Sequence, residues 1–268
     1  MTPGLLNCRI VTMKDCLSPW YQRWMSELGN DGGEGRKKWE DAFIAQALFE
    51  RGLMAPGKRI LGFGVGREKM PALFAKYGCT VLATDQALTP KAQHDWYDTG
   101  QMALRVADLL HPHICPADTF MERVTFEVCD MNDIPERYNG QFDAVYNACS
   151  MDHLGTLEAG MRFFERSMEC LMPGGWAVHT TEYNIYNDGP TVEAGDTVFY
   201  RARDIEVMLS RLRALGHYTE PFDPMPGDMP QDLDVDYEPH QRPSTHLVLQ
   251  AAGCIVSSVG LIAQRRAQ

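Results

Sequence analysis

Short apolar runs alternate with helix-like patterns between residues 58 and 216, and this alternation restricts the chain to few folds. Five runs predict strands: KRILGF (58–63), CTVLATD (79–85), VTFEVCD (124–130), FDAVYNACS (142–150) and WAVHTTEY (176–183). Helical patterns lie between them, and the clearest is TLEAGMRFFERSMEC (156–170). Such alternation specifies right-handed strand–helix–strand units, and hence a mostly parallel, Rossmann-like α/β sheet with helices on both faces.

The length of 268 residues suits one large domain better than two. We predict one compact domain, with an N-terminal helical cap region over 1–54 and the main domain over 55–268. Within the cap region, KKWEDAFIAQALFER (37–51) predicts an amphipathic helix. Residues 221–245 are rich in Asp and Pro, which predicts a long acidic, Pro-rich loop inserted near the C-terminus.

The charge balance excludes one class of partner. The chain has 25 Lys and Arg against 36 Asp and Glu, a formal net charge of −11, which disfavours nucleic acid. No apolar run approaches the length of a membrane span, so we expect no membrane insertion. The eight cysteines form no C-x-x-C pair and lie mostly in apolar runs, which is typical of buried free thiols in a reducing compartment. We therefore predict a cytoplasmic protein.

A glycine turn follows the first strand. Gly62, Gly64 and Gly66 allow the backbone to approach a ligand closely, although Arg67 occupies the third glycine position of a dinucleotide fingerprint. Asp85 ends the next strand, where a carboxylate can accept hydrogen bonds from both ribose hydroxyls. These residues suit NAD and an adenosyl ligand equally well.

The segments that follow distinguish the two ligands. Asp130 and Met131 follow the third strand in VCDMNDIP, and the fourth strand continues into SMDHLG and a helix. From about residue 55 to 183 this series resembles the class I S-adenosylmethionine-dependent methyltransferases. The resemblance implies a seven-stranded sheet, with the late runs THLVLQAAG and CIVSSVGLIAQRR at its antiparallel end. GFGVGREKMPALFA, HLGTLEAG and AVHTTEYN further resemble a bacterial subgroup associated with polysaccharide and glycosylation gene clusters.

The resemblance implies S-adenosyl-L-methionine as the cofactor and assigns its binding residues by position. Gly62, Gly64 and Gly66 contact the methionine end, Asp85 and Gln86 the ribose, Asp130 and Met131 the adenine, and Asn147 and Ala148 the methyl end. The sequence departs from the family at Gly62, where an acidic residue is usual, and at Glu68, where a glycine is common. Glu68 and Arg67 are the residues placed to compensate.

Methyl transfer to oxygen needs alignment and removal of a proton. The candidate bases near the ends of the fourth and fifth strands are His153, His179 and Glu182. His179 and Glu182 are three apart, so on one strand they point to opposite faces. Glu182, which is nearer the strand end, is the better placed to reach the acceptor.

The acceptor is predicted to be a small molecule or a carbohydrate, with Trp20, Trp39 and Tyr183 as its contacts. No compact metal-binding spacing is present, and we predict no metal, although His179, Glu182, Asp152, His153 and His246 form an alternative ligand set. A homodimer is compatible with the apolar late strands.

Two other functions stay open on the sequence. A non-catalytic methyltransferase-like scaffold is compatible with Gly62 and with the lack of a consensus base. An NAD(P)-dependent oxidoreductase would share the glycine turn and Asp85, but the chain lacks the third fingerprint glycine and a Tyr-x-x-x-Lys pair. Binding of the adenosyl ligand or of NAD(P) distinguishes these functions.

Overall fold

The computed structural model describes residues 5–30, 33–185, 189–240 and 246–267. Within these ranges, eleven strands form one mixed sheet. The strands are β1 (Cys8–Ile10), β2 (Arg59–Gly62), β3 (Thr80–Asp85), β4 (Val124–Val128), β5 (Phe142–Ala148), β6 (Leu171–Asn184), β7 (Tyr218–Thr219), β8 (Phe222–Asp223), β9 (Val235–Asp236), β10 (Val248–Ala251) and β11 (Cys254–Gln264). The α-helices are α1 (Met13–Cys16), α2 (Pro19–Glu27), α3 (Arg36–Glu50), α4 (Met70–Lys76), α5 (Pro90–Ala92), α6 (Ala117–Arg123), α7 (Leu157–Cys170), α8 (Ala202–Ala214) and α9 (Pro230–Leu233).

The main path through the sheet runs β4-β3-β2-β5-β6-β11-β1-β8. Strands β4, β3, β2, β5 and β6 are parallel, and β11 lies antiparallel beside β6. The parallel strands bring their carboxyl ends to one edge, which is where open α/β sheets bind ligands. The predicted Rossmann-like α/β class and the five central strands are confirmed.

The implied number of seven strands is wrong, because the sheet has eleven among the described residues. The additional strands include β1, β7, β8 and β9, which have only two or three residues each. Such short segments are too brief to display the alternation that reveals a strand in a sequence. The two late runs form β10 and β11 as expected.

The N-terminal region is more than a helical cap. Its strand β1 pairs antiparallel with β11, with Arg9 opposite Gly260, so the region contributes to the sheet itself. Helix α3 packs on the sheet at the same place, and a Cβ added to Gly260 would lie 2.2 Å from the ring of Phe43. The absence of a side chain at Gly260 therefore allows α3 to approach the sheet closely. The division at residue 55 stays a prediction.

Two other expectations need correction. The pattern of ALRVADLLHP (103–112) predicts a helix, yet the segment forms only a 3₁₀ turn over Val106–Leu109. The expected loop over 221–245 contains β8, α9 and β9, while its residues 241–245 lie outside the described ranges. Across the described ranges, every helix is too short or too polar to cross a membrane.

Most of the cysteines are buried, as the sequence predicts. All eight are free, and seven of them are buried. Cys149 is the partly exposed one, and it directly follows β5 at the carboxyl edge of the sheet. It therefore has access to whatever binds at that edge.

Candidate active site

A cleft of about 1010 Å³ lies along the carboxyl edge of the parallel strands. Most of the predicted site residues line it: Gly64, Gly66, Asp85, Gln86, Asp130, Met131, Ala148, His153 and Glu182. The volume and the position are those expected for a bound small molecule or cofactor.

The glycine turn forms one wall of the cleft. Gly64 and Gly66 have φ angles of 56° and 52°, which L side chains adopt at a cost. A Cβ on Gly66 would lie 2.5 Å from the carbonyl oxygen of Gln101, and one on Gly64 would lie 2.6 Å from Oγ of Ser150. Both glycines are therefore required by the backbone and by close packing.

Gly62 does not line the cleft, which argues against the contact predicted for it. A Cβ at this position would lie 2.7 Å from the Tyr146 ring and 2.7 Å from a methyl group of Val65. The acidic side chain that is usual in the family therefore has no room here. The ring of Tyr146 packs in the space that such a side chain would need.

Two further carboxyl groups, those of Glu68 and Asp41, line the cleft. Glu68 lines the cleft and accepts a 2.7 Å hydrogen bond from the hydroxyl of Tyr146. Burial, followed by the charge of Asp41, raises the pKa of Glu68 well above its ordinary value. Burial and the neighbouring Glu40 raise the pKa of Asp41, which also lines the cleft, to about 7. Arg67 also lines the cleft, but it is exposed and donates from Nε to the carbonyl oxygen of Met102.

Asp85 is fixed by backbone groups at the end of β3. Its Oδ1 accepts from the N–H of Gln86 at 2.8 Å, and its Oδ2 accepts from the N–H of Ala103 at 3.4 Å. Burial raises the pKa of Asp85, although these hydrogen bonds and one from Gly66 oppose the shift. The carboxylate is thus held at the cleft wall with lone pairs available to a ligand.

Asp130 and Met131 lie farther along the cleft, after β4. Oδ1 of Asp130 accepts from the N–H of Asn132 at 2.8 Å, and the carboxylate is exposed at the rim. Met131 is buried, with Sδ 3.7 Å from Oγ of Ser150. A polar group at the rim beside an apolar wall is an arrangement suited to a flat heterocycle.

A charge network forms the inner corner of the cleft, in which Arg36, Glu40 and Glu182 are buried and Lys37 is exposed. Oε1 of Glu182 accepts from Nη1 of Arg36 at 2.6 Å and from Nζ of Lys37 at 3.0 Å. Lys37 also lies 3.1 Å from Oε1 of Glu40. Burial alone would raise the pKa of Glu182, but the charges of Lys37 and Arg36 and their hydrogen bonds lower it to about 2. Glu182 therefore stays ionised and is a weak base.

His153 lies at the side of the cleft, after β5. Its Nδ1 is 2.8 Å from the carbonyl oxygen of Asp196, and its ring packs edge-on against Trp96. Because a carbonyl oxygen only accepts, Nδ1 donates, and Nε2 of the neutral ring carries a lone pair. Nε2 lies 3.3 Å from Oδ2 of Asp152. Of the three predicted bases, His153 and Glu182 line the cleft, and only Glu182 is paired with two cationic side chains.

His179 lies in the core, which argues against the prediction that it is a catalytic base. It is 0% exposed, its Nε2 lies 3.1 Å from Oγ of Ser167, and its ring contacts Phe163 and Phe164. Burial lowers the pKa of His179 to about 3, so the imidazole is neutral. As the three-residue spacing requires, it faces away from Glu182.

Four other predicted contacts also lie outside the cleft lining. Trp39 is buried, with Nε1 bonded to Asp15 and its ring stacked on Phe43. Tyr183 is buried against Phe222, and Trp20 packs beside Tyr21. Asn147 is also fully buried, beneath the cleft. With its amide oriented to satisfy its neighbours, Asn147 donates to Nδ1 of His179 and accepts from the N–H of Ser150.

The sequence reasoning missed several residues that line the cleft: Lys37, Glu40, Asp41, Cys149, Lys91 and Trp96. Cys149 carried a signal, because it directly follows a predicted strand at the carboxyl edge of the sheet. The residues of α3 carried none, since only the three-dimensional packing of that helix on β6 and β11 brings its first turn to the cleft. Lys91 reaches across to Asp196, with Nζ 2.9 Å from Oδ1.

No protein-family model matches the sequence, and no curated protein does. Among solved structures, a Burkholderia thailandensis 1,6-didemethyltoxoflavin-N1-methyltransferase with bound 1,6-didemethyltoxoflavin and S-adenosylhomocysteine is similar. The TM-score is 0.50 and the identity 18%, over 87% of this chain and 79% of that one. The fold is that of the S-adenosylmethionine-dependent methyltransferases.

Among the other matches is an S-adenosylmethionine-dependent methyltransferase from Mesorhizobium loti, with a TM-score of 0.46 and 16% identity over 82% of this chain and 98% of that one. A third, a putative sarcosine dimethylglycine methyltransferase from Galdieria sulphuraria, has a TM-score of 0.48 and 12% identity over 85% of each chain. The methyltransferase fold agrees with the predicted resemblance. The resemblance to the polysaccharide-cluster subgroup stays a prediction.

Proposed function

We propose that this protein transfers a methyl group from S-adenosyl-L-methionine to an oxygen of a small or carbohydrate-like acceptor. The observation that carries the proposal is the carboxylate of Asp85, held by backbone N–H groups beside the glycine turn in a cleft of cofactor size. This is the position from which a carboxylate binds a ribose in open α/β sheets. The methyltransferase fold of the similar structure supports the adenosyl ligand over NAD(P).

Different residues of the cleft would contact the different parts of the proposed cofactor. The ribose binds Asp85 and Gln86, and the adenine lies between the rim carboxylate of Asp130 and the side chain of Met131. The methionine end then reaches Gly64, Gly66 and Ala148. Its ammonium group needs an acidic partner, and the carboxyl groups of Glu68 and Asp41 replace the one excluded at position 62.

The transfer itself is an in-line displacement. The acceptor oxygen attacks the methyl carbon, the carbon–sulfur bond breaks, and its electron pair stays on sulfur to give S-adenosylhomocysteine. The acceptor proton must leave, and His153 is the proposed acceptor of that proton. Glu182 instead orients the acceptor as a hydrogen-bond acceptor, because Arg36 and Lys37 keep it ionised.

The inner corner of the cleft supports a small, polyhydroxylated molecule as the acceptor. Lys37 and Glu182 offer a donor and an acceptor side by side, which suits a polyhydroxylated molecule. The net charge of −11 opposes a polyanionic acceptor such as nucleic acid. A cytoplasmic location and a homodimer belong to the same proposal, as does the division of the domain at residue 55.

Titration calorimetry of the purified protein tests the proposal. S-adenosylmethionine and S-adenosylhomocysteine should bind with micromolar affinity, whereas NAD and NADP should give no heat of binding. Transfer of labelled methyl groups from S-adenosylmethionine to a panel of sugars and small hydroxylated metabolites then identifies the acceptor. Binding of NAD or NADP alone would support the oxidoreductase instead, and no binding of any of the four would support a scaffold.

A further inference from the structure

Three potential metal ligands meet at the inner corner of the cleft. Sγ of Cys149 and one carboxylate oxygen each of Asp152 and Glu182 lie within 4.8 Å of one another. Ligand atoms that share a zinc ion at bond lengths of about 2.0–2.3 Å are about 3.3–3.8 Å apart in tetrahedral geometry. Small side-chain movements would therefore bring the three atoms onto one ion.

Both carboxylates of this cluster have an oxygen atom without a hydrogen-bond partner. Oδ2 of Asp152 and Oε2 of Glu182 accept no hydrogen bond, although the two residues are 0% and 7% exposed. A buried carboxylate oxygen without a partner is costly, and such groups in proteins are normally paired or bound to a metal. Nε2 of His153 lies 3.3 Å from Oδ2 of Asp152.

The charges of the corner also call for a cation. Arg36 and Lys37 supply two positive charges. Glu40, Glu182 and Asp152 supply three negative charges. A bound cation would offset negative charge on the carboxylates of Glu182 and Asp152, which are removed from water.

The backbone places Cys149 in an unusual conformation. Its φ angle is 51°, in the left-handed region that a residue with a side chain seldom occupies. The conformation is held because its N–H contacts the carbonyl oxygen of Thr180 at 3.2 Å and the hydroxyl oxygen at 3.0 Å. Strain of this kind is concentrated at functional sites, and here it holds the thiol 3.4 Å from Oε1 of Glu182.

We propose that Cys149, Asp152 and Glu182 bind one divalent transition-metal ion of the zinc class. A thiolate with two carboxylates suits Zn²⁺ better than Mg²⁺ or Ca²⁺, which take oxygen ligands. Three protein ligands leave the fourth position open, as in catalytic zinc sites. The inference rests on the proposed function for its role, because the open position is where the acceptor hydroxyl would bind.

The ion would make the acceptor a better nucleophile. Coordination lowers the pKa of a hydroxyl group, so its proton passes to His153 or to solvent before the oxygen attacks the methyl carbon. The carbon–sulfur bond then breaks as in the proposed transfer, and the metal undergoes no redox change. This would supply the activation that the weakly basic Glu182 cannot.

Cobalt substitution tests the site without any acceptor. We expect the purified protein, stripped of metal, to bind one Co²⁺ per chain with a thiolate-to-cobalt absorption band that Zn²⁺ abolishes. Cys149→Ser should remove the band, and Asp152→Asn should weaken Co²⁺ binding about tenfold or more. The control Cys115→Ser changes a buried cysteine outside the cleft lining and should keep the band.

The result is separable from the proposed function. A wild-type protein without the band, or a band that persists in Cys149→Ser, would overturn the metal site whatever the protein does with S-adenosylmethionine. Circular dichroism shows whether each variant is folded, and Glu182→Gln provides a further ligand variant if Cys149→Ser is not. Calorimetry with S-adenosylhomocysteine on the same samples reports cofactor binding independently, so either proposal can fail alone.

Discussion

The positions of some cleft side chains could be predicted from the sequence, and those of others could not. Asp85 and Asp130 end or follow strands at the sheet edge, so the alternation that reveals the strands also places these carboxylates. The position of His179 could not be predicted in this way, because successive residues along β6 point to opposite faces of the sheet. A shift of one residue therefore moves a side chain from the cleft to the core. The role of a strand residue is therefore predictable only when its face is known.

Asp85→Asn should weaken S-adenosylhomocysteine binding about ten- to a hundredfold, the effect of losing a hydrogen bond to a charged group. The amide has a similar shape, but its N–H₂ group cannot accept from a ribose hydroxyl or from the N–H of Ala103. Calorimetry measures the change. Asp118→Asn, on the exposed surface of α6, is the matched control and should bind as the wild type does. Equal affinity in both variants would remove the ribose contact from Asp85.

His179 should make the stability of the protein depend on pH. Its folded pKa of about 3 lies below the ordinary value of 6.5, so the unfolded chain binds the proton first as pH falls. This contribution is complete above pH 6.5 and is lost progressively toward pH 3. Between pH 7.5 and 4.5 the wild type should lose about 2–3 kcal/mol through this group. In urea unfolding, His179→Gln should show a correspondingly smaller loss, and an identical pH profile would contradict the burial of a neutral imidazole.

Helices and strands were predictable where they are long and periodic. Helix α3 and strands β2 to β6 and β11 display their periods in the sequence, whereas β1, β7, β8 and β9 are too short to do so. The packing of α3 on β11 was not predictable, because it depends on a glycine in a distant strand that admits an aromatic ring. That packing is also what carries Arg36 and Lys37 to Glu182.

Gly260→Ala should destabilise the protein by about 1–3 kcal/mol, the usual cost of overpacking a close contact. The added methyl group would lie 2.2 Å from Cε1 of Phe43, so α3 or the ring must move. Urea unfolding measures the change in the free energy of unfolding. Phe43→Leu should be less destabilising in the Gly260→Ala background than in the wild type, because it frees the space that the methyl group needs. Additive effects of the two changes would contradict the packing described.

In the complete molecule, the sheet could be predicted from the sequence, whereas the inner corner of the cleft could not. The parallel half of the sheet, its cleft and the methyltransferase fold were predictable from the alternation and the resemblance. The inner corner of the cleft was not, since it joins the first turn of α3, the residue after β5 and the end of β6, which are remote in the sequence. Only contacts across the fold bring these groups together.

Cofactor binding should therefore stabilise the whole domain. S-adenosylhomocysteine at a concentration a hundred times its Kd should add about 2.7 kcal/mol to the free energy of unfolding. For a domain of this size that corresponds to a rise in Tm of roughly 5–10 °C. Differential scanning calorimetry measures the shift, with NAD at the same concentration as the control. An equal shift with NAD would contradict selectivity for the adenosyl ligand.

The central position of β11 has a kinetic consequence. This strand lies between β6 and β1, yet it is synthesised after every other described element. The N–H of Ile262 donates to Sγ of Cys8, which is 254 positions earlier, and Nη1 of Arg36 donates to Oγ of Ser258. Contacts between such distant residues close slowly because a large loop must be ordered first. On the ribosome, the inner corner of the cleft would therefore stay open and hydrated until β11 emerged, and the cleft would be completed in a single late step.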